Sequence, residues 1–187
     1  MIIGAAGRES QGIKMWVNAT NSTGVGWGAA AIRNNGDVLV SVNTIQIRGV
    51  TVPFSNWYVD TNSTVSAGSS HLLTNFQVSF ITTGTDKTGS MKSNSVFGQA
   101  TTCPTSNYPS TVPNEITINE IGTGYNVNML CLQQAAGPVT LKPGGQMIIY
   151  YRVPNGVLTP VDSGSALTVN IFAGNVGGPI TSTVGNS

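Results

Sequence analysis

Residues with side chains suited to catalysis are few and widely separated in this chain. It contains one histidine, His71, and seven acidic residues in 187 positions. A serine-type triad needs a histidine held between a nucleophile and a carboxylate, and the sequence has no Gly-x-Ser-x-Gly segment to present that nucleophile. Glu115 and Glu120 are an odd number of positions apart, so on a regular strand they point to opposite faces and do not pair as glycosidase carboxylates do. The sequence therefore predicts no enzymatic activity, no metal site and no cofactor.

The two cysteines, Cys103 and Cys131, have a structural interpretation instead. An even count in a chain of otherwise secreted character favours a disulfide between them, and no Cys-x-x-Cys motif indicates zinc or redox chemistry. In the chain-entropy account such a bridge stabilises a fold by about 3–4 kcal/mol. The alternative is a pair of buried free thiols on neighbouring strands.

Charge is scarce throughout the sequence. Charged residues make up 8% of the chain, against about 25% in an ordinary soluble domain, and the net charge is +1. Because no cluster of Lys or Arg occurs, nothing would attract a phosphate backbone, and nucleic acid is not an expected partner. No stretch approaches the roughly 20 apolar residues of a membrane helix. The small number of carboxylates also predicts a fold that tolerates acid, since acid unfolding mostly reflects protonation of paired carboxylates.

Apolar and polar residues alternate along most of the chain, which is the period of β-strands. The predicted strands run from Ile13 to Val17, Ala29 to Arg33, Val38 to Ile47, Phe54 to Val59, His71 to Ile81, Glu115 to Ile121, Tyr125 to Leu132, Gln146 to Val153, Leu167 to Phe172 and Ile180 to Val184. Many short strands separated by turns predict an all-β fold, an Ig-like β-sandwich; the further likeness to pilin heads is implied by the resemblance described below.

The connections between these strands carry their own signals. Asn34, Asn35 and Gly36 tolerate positive φ, so the segment 34–37 predicts a tight hairpin turn. The apolar face changes near Asn43 and Thr44, which indicates a bulge. Two polar stretches that contain Gly or Pro, 82–94 and 101–113, predict long loops.

The N-terminal residues 1–23 are predicted to form an extended arm, and residues 24–187 the head domain. The arm alternates the apolar residues Ile13, Met15 and Val17 with more polar ones, and it cannot satisfy its backbone groups alone. It would add as a donor strand to an open sheet edge of a neighbouring subunit. The Gly-rich stretch 18–28 would then be the hinge. The alternative is that Ile13–Val17 is the first strand of its own fold.

Three Asn-x-Ser/Thr acceptors, at Asn18, Asn21 and Asn62, lie in polar, loop-like stretches. With so many Asn, Ser and Thr in the chain, their number alone is no argument for modification. Together with the secreted character of the sequence, their context predicts an extracellular protein that carries N-linked glycans.

Two regions of the sequence resemble the closing strands and hairpins of archaeal pilin and archaellin head domains. They are the run from Ala31 to Gly49, and the segments Leu141–Pro154 and Ser165–Phe172. The stretch Met1–Asn21 lacks the long apolar helix through which type IV pilins assemble. The chain is therefore most similar to the archaeal thread filaments, whose subunits are linked head to tail by donor strands.

That resemblance implies a structural subunit of a cell-surface filament that serves adhesion or cell–cell contact, with identical subunits as partners and surface glycans as further ligands. Two other functions remain open from the sequence. One is a monomeric carbohydrate-binding adhesin or surface-layer module, in which aromatic side chains form a sugar platform. The aromatic candidates are Trp16, Trp27, Trp57, Tyr58, Tyr150 and Tyr151. The other is a viral coat protein.

Overall fold

The computed structural model of the chain describes residues 2–3, 13–17, 26–61, 65–66, 115–119, 129–174 and 176–186. Within these ranges the protein is built from β-strands and turns, with two short 3₁₀ turns at Phe54–Asn56 and Pro160–Asp162. The strands are β1 (Ile2–Ile3), β2 (Ile13–Val17), β3 (Gly26–Asn34), β4 (Val40–Val42), β5 (Thr44–Ile47), β6 (Val50–Thr51), β7 (Trp57–Asp60), β8 (Val65–Ser66), β9 (Glu115–Asn119), β10 (Met129–Gln134), β11 (Val139–Leu141), β12 (Gln146–Val153), β13 (Ala166–Ala173) and β14 (Val176–Asn186). The all-β prediction is confirmed.

The strands form two groups that β2 joins. In the first group, called the β3 group, β3 pairs with β12, β12 with β7, and β7 with β10, while β8 and β9 flank β10 and β1 lies beside β3. In the second, called the β14 group, β14 pairs with β13, β13 with β5, and β5 with β6. Strand β2 lies between β3 and β14, and β4 and β11 pair separately. Most pairings are antiparallel, as expected for strands joined by short turns.

A single apolar core draws on both groups. From the β3 group come Ile32, Ile149 and Tyr151, and from the β14 group Ile47 and Val169, each at most 1% exposed. In β12 the residues on the other face, Ile148 and Tyr150, are buried as well. Because both of its faces are covered, β12 has the near-continuous apolar run Met147–Tyr151 in place of strict alternation.

The strand directions define two ends of the described fold. At the end called the tip end lie residues 36–39, which follow β3, and the turn 142–145, which precedes β12; the Gly144 N–H donates to the Asn34 carbonyl there at 2.8 Å. At the opposite end, the loop end, lie the turn 48–49 and residues 154–165, which link β12 to β13. Strand β3 runs from the loop end to the tip end, and β2, β12 and β14 run the other way.

The turn after β3 is not the predicted hairpin. Strand β4 pairs with β11 and not with β3, so the chain leaves one group of strands at this point. The buried Asn34 directs the turn: its side-chain amide donates to the carbonyls of Val38 (2.7 Å) and Leu141 (3.0 Å), and its Oδ1 accepts from the Gly36 N–H (3.0 Å). A side chain that supplies three bonds to a non-helical backbone makes a wider turn than a two-residue hairpin.

The change of face near Asn43 is confirmed, but its cause is a change of partner. Strand β4 ends at Val42 on β11, and β5 begins at Thr44 on β13. The Asn43 N–H donates to the Phe172 carbonyl at 3.0 Å at this junction. Because one residue separates the two strands, the apolar side chains of β4 and of β5 can both face the core, although the two strands have different partners.

The loop end contains the one ion pair found among the described residues. Arg48 has φ 52°, and Gly49 beside it has φ 77°, which is the pair of positive angles that a tight hairpin between β5 and β6 requires. The Arg48 guanidinium makes a bidentate contact with the Asp162 carboxylate at 2.7 and 3.2 Å, and it also donates to the Val157 carbonyl at 2.9 Å. This contact fastens the β5–β6 turn to the loop that follows β12.

Strand β14 contains a proline in its middle, Pro179, which pairs with Asn170 of β13. The exposed Pro179 lies outside the part of β14 that β2 covers, since β2 pairs only with residues 184–186. Proline has no N–H to donate, so within sheets it is found where that side of the strand has no partner.

Candidate functional site

The site with the strongest link to function is the slot that holds β2, between β3 and β14. On one side β2 pairs antiparallel with β3 over five residues, from Ile13 opposite Ala30 to Val17 opposite Gly26. On the other side it pairs parallel with β14 over three residues, from Met15 beside Val184 to Val17 beside Asn186. A strand held on both edges satisfies the backbone groups that an isolated arm would leave open.

Among the described strands, this pairing alone connects the β3 group to the β14 group through backbone hydrogen bonds. Removing β2 would therefore leave two open edges that face the same gap, one along β3 and one at the end of β14. Open edges of this kind accept an added strand from another chain.

The β3 side of the slot is lined by very small residues. Gly26, Gly28 and Ala30 lie on the core face of β3, and Ala29 on the other face is fully buried. A Cβ built on Gly28 would overlap the phenol ring of Tyr151, and one on Gly26 would lie 2.7 Å from Leu158 Cδ1. These glycines are needed so that large side chains can lie across β3.

The predicted hinge 18–28 is therefore wrong at its C-terminal end. Gly26 and Gly28 belong to β3, where they pair with Val153 and Tyr151 of β12. Residues 18–25 lie outside the described residues. The signal for the correct interpretation was present in the sequence: glycines two positions apart, followed by three alanines, are typical of a strand that another group approaches closely.

Tyr151 brings a buried polar group to this slot. Its side chain is fully buried, and its hydroxyl has no hydrogen-bond partner among the described residues. Burial raises the pKa of the phenol far above its ordinary value, so the group is neutral. The ring end lies over Gly28, the residue that pairs with Met15 of β2. The sequence places Tyr151 in a predicted strand and among the aromatic candidates for a sugar platform, but it does not indicate this contact with β3.

The predicted donor-strand residues Ile13, Met15 and Val17 do form a strand, and β2 pairs within its own chain. In this single chain the segment thus occupies the position that the own-fold alternative predicts. Their side chains lie outside the described part of the structure. Exchange of β2 between copies, and the division at residue 23 between arm and head, stay predictions.

Other predicted site residues lie where the structure does not describe them. His71, Cys103, Asn18, Asn21 and Asn62 are outside the described residues, as are the segment 71–81 and the predicted loops 82–94 and 101–113. Cys131 lies in β10, opposite Thr117 of β9, but its side chain is not described. The disulfide and the glycans remain predictions.

Three of the aromatic candidates for a sugar platform lie in the protein interior instead. Trp57, Tyr150 and Tyr151 are fully buried, and the Trp57 indole N–H donates to the Val52 carbonyl at 3.1 Å. A buried ring cannot stack on a sugar. Tyr58 is half-buried, and the side chains of Trp16 and Trp27 lie outside the described residues.

The described residues contain no group of three or more His, Cys, Asp or Glu side chains arranged to hold a metal ion. No helix within the described ranges has the length and apolar character needed to span a bilayer. No protein-family model, curated protein or solved structure matches this chain. The functional argument therefore depends on the slot itself.

Proposed function

We propose that this chain is the structural subunit of an extracellular filament of the archaeal thread class. Each subunit passes its β2 strand into the slot of the next one, so that donor strands link the subunits head to tail. The filament serves adhesion or cell–cell contact. Its role is mechanical and requires no catalytic group.

The observation that carries this proposal is the position of β2. Among the described strands it alone pairs with both strand groups, yet its pairing with β14 covers only three residues. A second copy of this strand can supply backbone donors and acceptors to the same two edges, so exchange between copies costs little free energy. Each apolar side chain buried by the incoming strand stabilises the joint by about 1.5–3 kcal/mol.

The remainder of the molecule fits this role. We propose that the β3 group and the β14 group are the two sheets of a pilin-like β-sandwich, because both contribute side chains to one core. A Cys103–Cys131 disulfide and N-linked glycans at Asn18, Asn21 and Asn62 would protect the filament outside the cell. The burial of Trp57, Tyr150 and Tyr151 weakens the alternative of a monomeric carbohydrate-binding module.

The test is assembly of the full chain, followed by removal and return of the strand. Full-length protein at high concentration should form fibres of bead-like subunits in negative-stain electron microscopy. A variant without residues 1–17 should form none. It should instead bind a synthetic peptide of residues 11–19. Because the peptide would cover the open edges, its binding should raise the midpoint of unfolding.

A matched peptide with Met15→Asp should bind far more weakly, since position 15 pairs with Gly28 on the core face of β3 and a carboxylate there would have to be desolvated. Full-length protein that stays monomeric at every concentration would refute the filament. A shortened chain that folds well and ignores the peptide would show that β2 is an ordinary strand of its own domain.

A further inference from the structure

The direction of β2 in the slot decides what kind of assembly exchange can build. In the single chain Ile13 lies toward the tip end, and Val17 lies at the loop end beside Gly26. The chain reaches β3 through residues 18–25, and the nine Cα–Cα steps from Val17 to Gly26 span at most about 30–32 Å. The body of a donor must therefore remain within that distance of the point where Val17 leaves the slot.

If the donated strand kept this direction, its Val17 would leave the acceptor at the acceptor's loop end. The donor's own β3 also starts at its loop end, so the two loop ends would face each other. The acceptor's β2 departs from that same place and lies within reach of the donor's vacant slot. Such a pair closes on itself, and a closed pair does not grow.

Stacking a loop end on a tip end while keeping the direction would demand more chain than is present. The linker would have to run along the whole acceptor body, where nine residues of β3 alone measure about 30 Å, and then cross the gap to the donor body. Reversing the strand removes this demand. Val17 then leaves the slot at the acceptor's tip end, and the linker has only to cross the gap between two bodies.

The sequence of β2 permits this reversal. Ile13 and Val17 lie two positions on either side of Met15, so turning the strand about Met15 exchanges two β-branched residues and preserves the alternation. The slot is also tolerant on its β3 side, where Gly26, Gly28 and Ala30 have little or no side chain to oppose a new neighbour.

A separate observation favours contact between opposite ends. Four large apolar side chains are exposed in the described residues, and all four lie at the ends of the strands. Val38 and Leu39 at the tip end are 59% and 60% exposed, and Val161 at the loop end is 87% exposed, with Val50 beside the Arg48 turn. Stacking of subunits end on end would cover these residues.

We propose that in the filament β2 enters the neighbouring slot reversed, antiparallel to β14 and parallel to β3, while the same strand folded in its own slot is a self-capped form that cannot polymerise. This inference rests on the proposed function. It adds the orientation of the joint and a stored, unassembled state.

Two double-cysteine variants distinguish the orientations. Continuing the β14 register by two residues places Ser182 beside Ile13 in the single chain, and beside Val17 after reversal about Met15. Filaments of Val17→Cys/Ser182→Cys treated with a short bifunctional thiol reagent should give a ladder of multimers on a denaturing gel. Ile13→Cys/Ser182→Cys should give only an internally linked monomer, from the self-capped fraction. The wild type and each single variant control for Cys103 and Cys131.

A second pair on the other side of the slot guards against a variant that does not fold. Lys14→Cys/Ala29→Cys matches the pairing in the single chain, and Trp16→Cys/Ala29→Cys matches the reversed strand. Ladders from Ile13→Cys or Lys14→Cys would overturn the reversed orientation and leave the filament standing. Linkage that stops at dimers would also overturn the reversed orientation, because it would indicate the closed pair. Absence of any polymer from the wild type would defeat the proposed function itself.

Discussion

Strands β12 and β2 both pair with β3, which β1 also contacts over two residues, and they are held very differently. β12 pairs with β3 over eight residues and with β7 over four, and its side chains are buried on both faces. β2 pairs with β3 over five residues and with β14 over three. The same strand thus separates a fixed side of the fold from a side that an arm could leave and re-enter. The difference means that the strand proposed here as a donor is part of the fold and is held over fewer residues than β12.

The largest change in stability is expected from Gly28→Val, which tests how β12 packs against β3. Valine favours strands, but its side chain would overlap the Tyr151 ring that lies over Gly28. Overpacking of this kind should lower the free energy of unfolding by about 3 kcal/mol in urea titration. Gly137→Val is the matched control, because nothing lies within 4 Å of a Cβ at Gly137, and it should change stability by less than about 0.5 kcal/mol. Equal effects would mean that Tyr151 does not depend on Gly28.

Hydrogen exchange compares the stability of β12 and β2 directly. The amides of Ile149 and Tyr151 in β12 should exchange only through global unfolding, whereas the amide of Met15 in β2 should exchange through local release of the strand. We expect the monomer to show exchange about 100-fold faster at Met15, a difference of about 2.7 kcal/mol. Similar protection at both positions would mean that β2 is as fixed as β12. In the filament, protection at Met15 should rise.

Replacing Tyr151 with Phe tests the buried hydroxyl over the slot. The hydroxyl has no partner among the described residues, so its removal abolishes a desolvation cost and breaks no bond within that part of the chain. Stability should rise by as much as about 1 kcal/mol, where removal of a bonded buried hydroxyl would lower it. The control is Trp57→Phe, which loses the indole bond to the Val52 carbonyl and should destabilise the protein. A loss of stability in Tyr151→Phe would reveal a partner, with an arm residue as the first candidate.

The smallest change in stability is expected at the Arg48–Asp162 ion pair of the loop end. The hydrogen bond from Arg48, and then that from the Thr159 N–H, lowers the pKa of Asp162 from 3.8 to about 2. Because the folded pKa lies below the unfolded one, this stabilisation is complete above about pH 4 and is lost as the pH falls through 2. The Arg48 side chain is 43% exposed, so solvent screens the pair, and Asp162→Asn should cost at most about 1 kcal/mol at pH 7.

The same substitution should be neutral at pH 2, and urea midpoints across the pH range will show it. Asp37→Asn, at an exposed position of the tip end, is the control and should be neutral throughout. A wild-type midpoint that collapses already between pH 7 and pH 4 would contradict both this account and the acid tolerance predicted from the low number of carboxylates.

Sequence periodicity located the strands well wherever local pattern decides. β12 has the predicted bounds, and β9, β13 and β14 lie within a few residues of theirs. The partners of the strands were harder, because pairing depends on residues far apart in the chain. The turn after Asn34 looked like a hairpin, but the amide of Asn34 bonds to Leu141, and no local pattern contains that contact.

The slot was half predictable from the sequence. Alternation in Ile13–Val17 gave the strand, but it could not give the two neighbours β3 and β14. The prediction of a hinge at Gly26 and Gly28 is wrong because glycine serves both flexible connections and close approach. Their spacing and the following alanines favour close approach, and the position of Tyr151 opposite Gly28 decides it.

Pro179 sets a limit on how an incoming strand can settle. A strand added beside β14 could pair from residue 186 back toward 180, and the next residue, Pro179, has no N–H to donate. In the proposed filament a donated strand that slipped past this point would lose bonds. The proline would therefore limit the stagger of the donated strand and favour a uniform axial repeat.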